Sequence, residues 1–287
     1  MPPHMPRVSV AVPVYNGAAL LEESLACIAG QTMRDFEVIL SDNGSSDATP
    51  EICARYAARD SRFRHIRHET TSGPLENFLF ARDQASAPYF LWRAHDDLSA
   101  DTYLAVLADL LDRRPETVLA VGDIRREASP GTTRRDFPYR PDDAGPRLTR
   151  LWAQMFRSSS SWYYGMWRRE ACISVTEEIR ALHPDVWATD HLTLFALALR
   201  DGIRGSHDTL FSQRIIHAAR PVVPWERLTS GQMRDQNARF HAACLHLLDQ
   251  STFSTAERAL IRLWLPFYVR RRCHPWRRIL KARLTRG

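Results

Sequence analysis

The sequence predicts an α/β protein built on a mostly parallel, Rossmann-like sheet with helices on both faces. Three observations carry this. Apolar runs end abruptly in polar loops at Val8-Ser-Val-Ala-Val-Pro13-Val-Tyr15-Asn16-Gly17, Phe36-Glu-Val-Ile-Leu-Ser-Asp42-Asn-Gly and Tyr89-Phe-Leu-Trp-Arg-Ala-His95-Asp96-Asp97. Such runs are continuous rather than alternating, as strands covered on both faces are. Segments with helical spacing lie between them, and a strand–helix–strand alternation gives a parallel sheet with right-handed crossovers.

Residues 7–14 read as the first strand. A helix follows at about 18–30, with Leu20, Leu21, Leu25 and Ile28 on one face. The second strand covers 36–41 and opens into the polar loop Asp42–Asp47. Asp47 or Thr49 caps the next helix, in which Pro50 stands early and Glu51 in the first turn. Phe63–Ile66 is a short third strand, and Thr71-Ser-Gly-Pro74 opens a helix over 74–86. The fourth strand, 88–94, runs out at His95-Asp96-Asp97. Tyr103, Leu104, Leu107, Leu110 and Leu111 predict the next helix, and Val118–Val121 the fifth strand.

Residues 124–146 break this rhythm. They are rich in Arg, Asp, Pro and Gly and poor in apolar residues, so a long surface loop is expected, either a lid or a plain connection. From 147 the pattern turns to α plus irregular β. Ser158–Ser161 leads into the aromatic cluster Trp162-Tyr163-Tyr164-Gly165-Met166-Trp167, an amphipathic helix is expected near 187–201, and Thr209–His217 reads as a strand. Pro221 and Pro224 mark a boundary, after which 225–285 looks helical. The expected organisation is therefore a domain over 1–220 and a helical extension over 221–287. No internal repeat is visible.

At 287 residues, with 44% hydrophobic and 25% charged content, the composition is that of an ordinary globular chain. No apolar run approaches the roughly 18 residues of a membrane span. The first residues lack a signal-peptide core, so a cytoplasmic location is expected. The five cysteines have no metal-site spacing and read as reduced, buried side chains. The net charge of +6 is local: residues 267–287 hold eight of the 39 basic residues and no acid, leaving 31 basic against 33 acidic elsewhere. Aromatics mixed with arginine in this tail suit a membrane surface, and the acidic balance of the rest argues against nucleic acid as a partner.

Adjacent carboxylates at the carboxyl edge of a parallel sheet suit a hard divalent cation that also holds phosphate oxygens, which points to a nucleotide ligand. Val10–Gly17, Ser41-Asp42-Asn-Gly44-Ser45-Ser-Asp47, Trp92–Asp97 and Ala188-Thr-Asp190-His191, in this order and spacing, resemble the family 2 glycosyltransferases of the GT-A fold. The likeness covers about 7–217. It implies a nucleotide-sugar donor, a UDP-sugar, whose sugar passes with inversion to a saccharide or lipid-linked acceptor in bacterial surface polysaccharide assembly.

The resemblance also implies roles. Pro13, Tyr15 and Asn16 turn the chain against the nucleotide base, and Asp42 accepts a hydrogen bond from the base or ribose. Asn77 and Arg82 reach the base or diphosphate, or else form a solvated helix face. Asp97 matches the family's metal-binding acid for Mn²⁺ or Mg²⁺, with Asp96 beside it. His95 departs from the usual Asp and is expected to bind metal or donate to a phosphate, and His217 to approach the metal. Asp190 is the expected general base, or else a helix cap; Glu177, Glu178 and Asp185 are substitutes. Gly165 lets backbone approach the transferred sugar, and Trp162, Tyr163 and Trp167 stack on the acceptor or form core. A sugar-activating nucleotidyltransferase would carry a basic, glycine-rich loop after the first strand, and Ala18-Ala-Leu-Leu does not. A non-catalytic scaffold and a nucleic-acid-binding protein are the other readings of the chain.

Overall fold

The computed structural model describes residues 5–127, 134–141, 143–184, 187–215 and 229–273. Among them the strands are β1 (Val8–Val14), β2 (Phe36–Asp42), β3 (Phe63–Arg67), β4 (Tyr89–Trp92), β5 (Leu98–Ser99), β6 (Leu119–Glu127), β7 (Arg134–Phe137), β8 (Met166–Arg168) and β9 (Ile203–Arg214). The helices are α1 (Ala18–Ala29), α2 (Thr49–Arg59), α3 (Pro74–Asp83), α4 (Tyr103–Arg113), α5 (Arg147–Arg157), α6 (Arg169–Leu182), α7 (Thr189–Leu199), α8 (Ser230–Asp249) and α9 (Thr255–Cys273).

The strands form one sheet in the order β3-β2-β1-β4-β8-β6-β9-β5, with β7 added to β6. β1 pairs in parallel with both β2 and β4, β2 with β3, and β6 with β9. β8 runs antiparallel between β4 and β6. The expected parallel α/β sheet is present, and its central strands explain why: every residue of β1 and β4 is buried. Ser9 is the polar exception in β1; its hydroxyl donates to Glu37 (2.6 Å) and accepts from Ala87 N (3.0 Å).

The chain divides into two compact units. The first gathers the described residues of Met1–Tyr139, Ser161–Ile173 and Ile203–Ile216; the second gathers those of Arg140–Ser160, Ser174–Gly202 and His217–Gly287. The single break expected near 220 is thus replaced by a chain that passes between units several times, and the C-terminal helices share theirs with α5 and α7. Pro221 and Pro224 lie outside the described residues.

The first unit holds the whole sheet. Its core is aromatic: Trp92 stacks on Tyr163 (5.0 Å, 13°) and meets Phe90 and Trp167 edge-on (4.7 and 6.4 Å). Such pairs add about 0.5–1.5 kcal/mol each beyond their buried area. Trp162 and Trp167 are buried, the core alternative of the two expected for this cluster, while Tyr163 is half-buried.

The loop expected over 124–146 is partly sheet. β6 continues to Glu127 and pairs with β7, Ile124 opposite Phe137. Arginine stems replace the missing apolar residues, with the Arg126 and Arg135 guanidiniums 4.9 and 4.8 Å from the Phe137 ring. Residues 128–133 and 142 are outside the described set. β9 begins at Ile203, six residues before its expected start, because it follows β6 through a register shift at Gly122–Asp123.

The second unit is helical. Tyr268 of α9 donates to His191 O (3.0 Å) and stacks on Phe195 (5.3 Å). Arg150 makes a two-pronged pair with Asp201 (2.7 and 2.6 Å). No described helix is long and apolar enough to cross a membrane.

Candidate functional site

The chain leaves β1 toward β2 on one side, while β4 lies on its other side. This is the topological switch point of a parallel sheet, where ligands bind beyond the carboxyl ends of the strands. Pro13 marks the opening. It is buried within β1 opposite Ser41, and the β1–β4 pairing stops before it, at Ala11–Trp92. Proline has no N–H to donate, so the two strands part there. Its part is to open the crevice.

The loops after β1 and β2 are sewn together. Asn16 N donates to Ser45 Oγ (2.9 Å), Ser46 N to Asn16 Oδ1 (2.9 Å), Gly17 N to Thr49 Oγ1 (2.9 Å) and Ala18 N to Asp47 Oδ2 (3.1 Å). Asn16 has φ 49°, a left-handed conformation that Asn tolerates. Its amide oxygen therefore shapes the loop. Tyr15, one residue earlier, stands 49% exposed at the rim. Burial works against the Asp47 charge, but hydrogen bonds from Thr49 and Ala18 keep its carboxyl below the usual range.

Asp42 ends β2 and is fully buried. Its Oδ1 accepts from Ser45 N (3.0 Å), whereas Oδ2 has no hydrogen-bond partner among the described residues. Two facing basic side chains are beyond hydrogen-bond reach, His65 Nε2 at 3.9 Å and Arg67 Nε at 3.7 Å. Burial lowers the His65 pKa despite the facing Asp42, so this ring is neutral at neutral pH.

β4 ends at Trp92, and the chain turns through His95, Asp96 and Asp97. The His95 ring lies against Gly17: a Cβ there would stand 2.5 Å from its Cδ2. Burial holds the His95 pKa below its ordinary value, partly offset by Asp96, leaving a neutral imidazole. Asp97 is 2% exposed, and its Oδ1 accepts from Arg214 N (2.9 Å). Burial, then the neighbouring Asp96, pushes its pKa up to about 7, while Arg214 and Arg93 pull it back.

Sequence reasoning missed those two arginines. Arg93 lies buried beneath the acids, donating to Ser99 Oγ (2.7 Å) with its guanidinium over Phe211 (5.2 Å) and Tyr103 (5.6 Å). Arg214 donates to the Asp96 carbonyl and pairs with Glu23 of α1. Arg93 was hidden inside an apolar run, and Arg214 inside a strand that reads as ordinary edge. Neither position carries a local signal.

Asn77 is buried, and its amide is spent on Ser41, accepting from Oγ (2.6 Å) and donating to the carbonyl (3.1 Å). It ties α3 to β2. Arg82 lies in the last turn of α3, toward the amino edge where β4 opens beside Val8, and pairs with Asp83 (2.8 Å). Helical spacing gave its face but not its end. Gly165 is packed against β6, where a Cβ would meet Ala120 O at 2.4 Å, so close strand packing explains it without a sugar. His217 and Asp185 lie outside the described residues. Asp190 belongs to the second unit, in the first turn of α7, and its Oδ1 accepts from its neighbour His191 N (2.7 Å).

Among the described residues no three acids, histidines or cysteines are grouped as a complete metal site. The Asp96–Asp97 pair still fits a hard cation, because Asp97 is buried beside a second carboxylate and both disfavour its charge in the absence of a cation.

Comparison with known proteins identifies a family and a fold. The model of the family described as glycosyl transferase family 2 matches residues 9–170, more than half the chain. The GalNAc(5)-diNAcBac-PP-undecaprenol beta-1,3-glucosyltransferase of Campylobacter jejuni is 34% identical over 94 residues, 32% of this chain and 30% of that protein. The PGL/p-HBAD biosynthesis glycosyltransferase of Mycobacterium bovis is 33% identical over 121 residues, 42% of this chain and 47% of that protein. The chain thus matches less than half the length of either relative. Among solved structures, residues 1–349 of S. aureus TarS superpose with a TM-score of 0.67 at 17% identity, covering 92% of this chain and 72% of that one. At that identity the likeness is one of fold.

Proposed function

Because the chain belongs to glycosyl transferase family 2, we propose that it moves a sugar from a nucleotide-sugar donor to an acceptor hydroxyl. The donor is a UDP-sugar. The acceptor is a saccharide or lipid-linked saccharide of bacterial surface polysaccharide assembly; the name of the Campylobacter relative specifies an acceptor linked to PP-undecaprenol. Transfer inverts the anomeric carbon in a single displacement.

The observation that carries this reading is the half-satisfied Asp42. A buried acceptor left without a donor costs about 1–3 kcal/mol, which a ligand's N–H or hydroxyl restores. Asp42 Oδ2 is such an atom, buried at the carboxyl edge of β2. A uracil N–H or ribose hydroxyl supplies the missing donor, and the exposed Tyr15 ring at the rim of the same edge suits stacking on a base.

Asp97 with Asp96 would hold Mn²⁺ or Mg²⁺, with His95 and the sequence-expected His217 as further ligands. Such an ion, when bound, neutralises charge on the departing nucleoside diphosphate. A neutral His95 imidazole favours Mn²⁺ over Mg²⁺. The acceptor hydroxyl needs a base, and Asp190, in the first turn of α7, is the proposed one. The enzyme works in the cytoplasm, at the inner face of the membrane where lipid-linked acceptors are.

The test is a donor screen. Purified protein is given UDP- and GDP-sugars with Mn²⁺, Mg²⁺ or EDTA, and nucleoside diphosphate release is followed. Release from a UDP-sugar that EDTA abolishes is expected. Absence of both binding and release with every donor would overturn the reading.

A further inference from the structure

α9 is apolar on two faces. Ile261, Leu265, Tyr268, Val269 and Cys273 are buried in the second unit. The opposite face carries Leu260, Leu263, Trp264, Phe267 and Arg271, the i, i+3, i+4, i+7, i+11 spacing of a single stripe. Leu263 and Phe267 are each 68% exposed, and Leu260 40%. A helix that only capped a globular unit would carry polar residues there.

The stripe continues onto α5. Trp152, itself 37% exposed, Phe156, Arg157, Trp264, Phe267 and Arg271 line an open groove of about 490 Å³. Arg157 lies over the Trp152 ring at 5.1 Å. The charged residues lining the groove, Arg157 and Arg271, have one sign. Arg270 and Arg271 are exposed and have no ion pair among the described residues, while Arg272 is turned inward to Met155 O and Ser158 O (2.8 and 2.9 Å). From Arg258 to the end of the sequence there is no acidic residue, and five more basic residues follow Cys273.

We propose that this α9–α5 face is a docking surface for an anionic membrane. Exposed aromatic and leucine side chains beside arginines are what an interfacial helix needs: the apolar stripe enters the headgroup boundary and the arginines stay at the phosphates. A second copy of the chain would place like charges together, which disfavours self-association through this face. The proposal rests on the second unit alone and is independent of the donor chemistry.

Vesicle sedimentation of the full chain tests it. Vesicles of phosphatidylglycerol with phosphatidylcholine are compared with phosphatidylcholine alone. Leu263→Gln/Phe267→Gln and Arg270→Gln/Arg271→Gln are compared with the unmodified protein. The unmodified chain is expected to bind the anionic vesicles and to leave the neutral ones. Each double variant loses at least about tenfold in binding, since both anchors and arginines contribute. Melting curves and nucleoside diphosphate release remain unchanged in both. If the apolar variant fails to fold, the arginine variant decides the matter. Equal binding by both variants would place the membrane contact in residues 274–287 and overturn the proposal. So would loss of a dimer on gel filtration in the apolar variant with sedimentation unaffected.

Discussion

Asp97 is where burial and chemistry pull in opposite directions. Its carboxyl has a pKa near 7 in the folded chain, against about 3.9 in an unfolded one. The native state therefore holds its proton to higher pH than the unfolded state does. The stability this contributes is fully present below about pH 4 and is lost as pH rises through about 7. At about 1.4 kcal/mol per unit, a few kcal/mol are at stake for a group this buried. Asp97→Asn keeps the acceptor for Arg214 N but cannot ionise. In EDTA it should melt several degrees above the parent at about pH 8 and close to it at about pH 4, while losing donor turnover. Identical melting at the higher pH would show that Asp97 is not strained. Asp42 makes a complementary prediction. Asp42→Asn keeps one oxygen for Ser45 N–H but turns the open acceptor into an NH₂ donor. UDP affinity measured by calorimetry should fall about 10- to 100-fold, the size of one charge-assisted hydrogen bond; unchanged affinity would remove Asp42 from the nucleotide site.

Strands were legible in proportion to their burial. β1, β2 and β4 are short apolar runs bounded by turns, and the sequence shows them nearly to the residue. β5, β7 and β8 span two to four residues each, too short for any periodicity, and β7 opens with two arginines. Their pairing is set by neighbours distant in sequence, so no local pattern contains it. Gly165 shows the same limit. In sequence it resembles a site glycine, but it lies where β8's approach leaves no room for a Cβ against the Ala120 carbonyl. The two roles separate experimentally. Gly165→Ala should cost about 1–3 kcal/mol in chemical denaturation through overpacking, with kcat per folded molecule retained. A full loss of transfer at unchanged stability would restore the sugar-contact role.

The acids at the strand ends were readable because each follows an apolar run, and a polar stop on a buried strand has few structural uses. What no run could reveal is which unit each residue serves. Tyr15, Asp42, Asp96 and Asp97 all belong to the first unit, and Asp190 to the second. Under the proposed roles, donor binding and proton removal are separately testable. Asp190→Asn is nearly isosteric and keeps its own contact with His191 N, so both units should fold as before. Calorimetric titration with UDP and Mn²⁺ should give the parent affinity. Transfer to acceptor should fall by about 10²- to 10⁴-fold, the usual share of a general base. A variant that lost UDP affinity along with transfer would make Asp190 part of the donor site, and one that kept full transfer would leave it a helix-terminus acid.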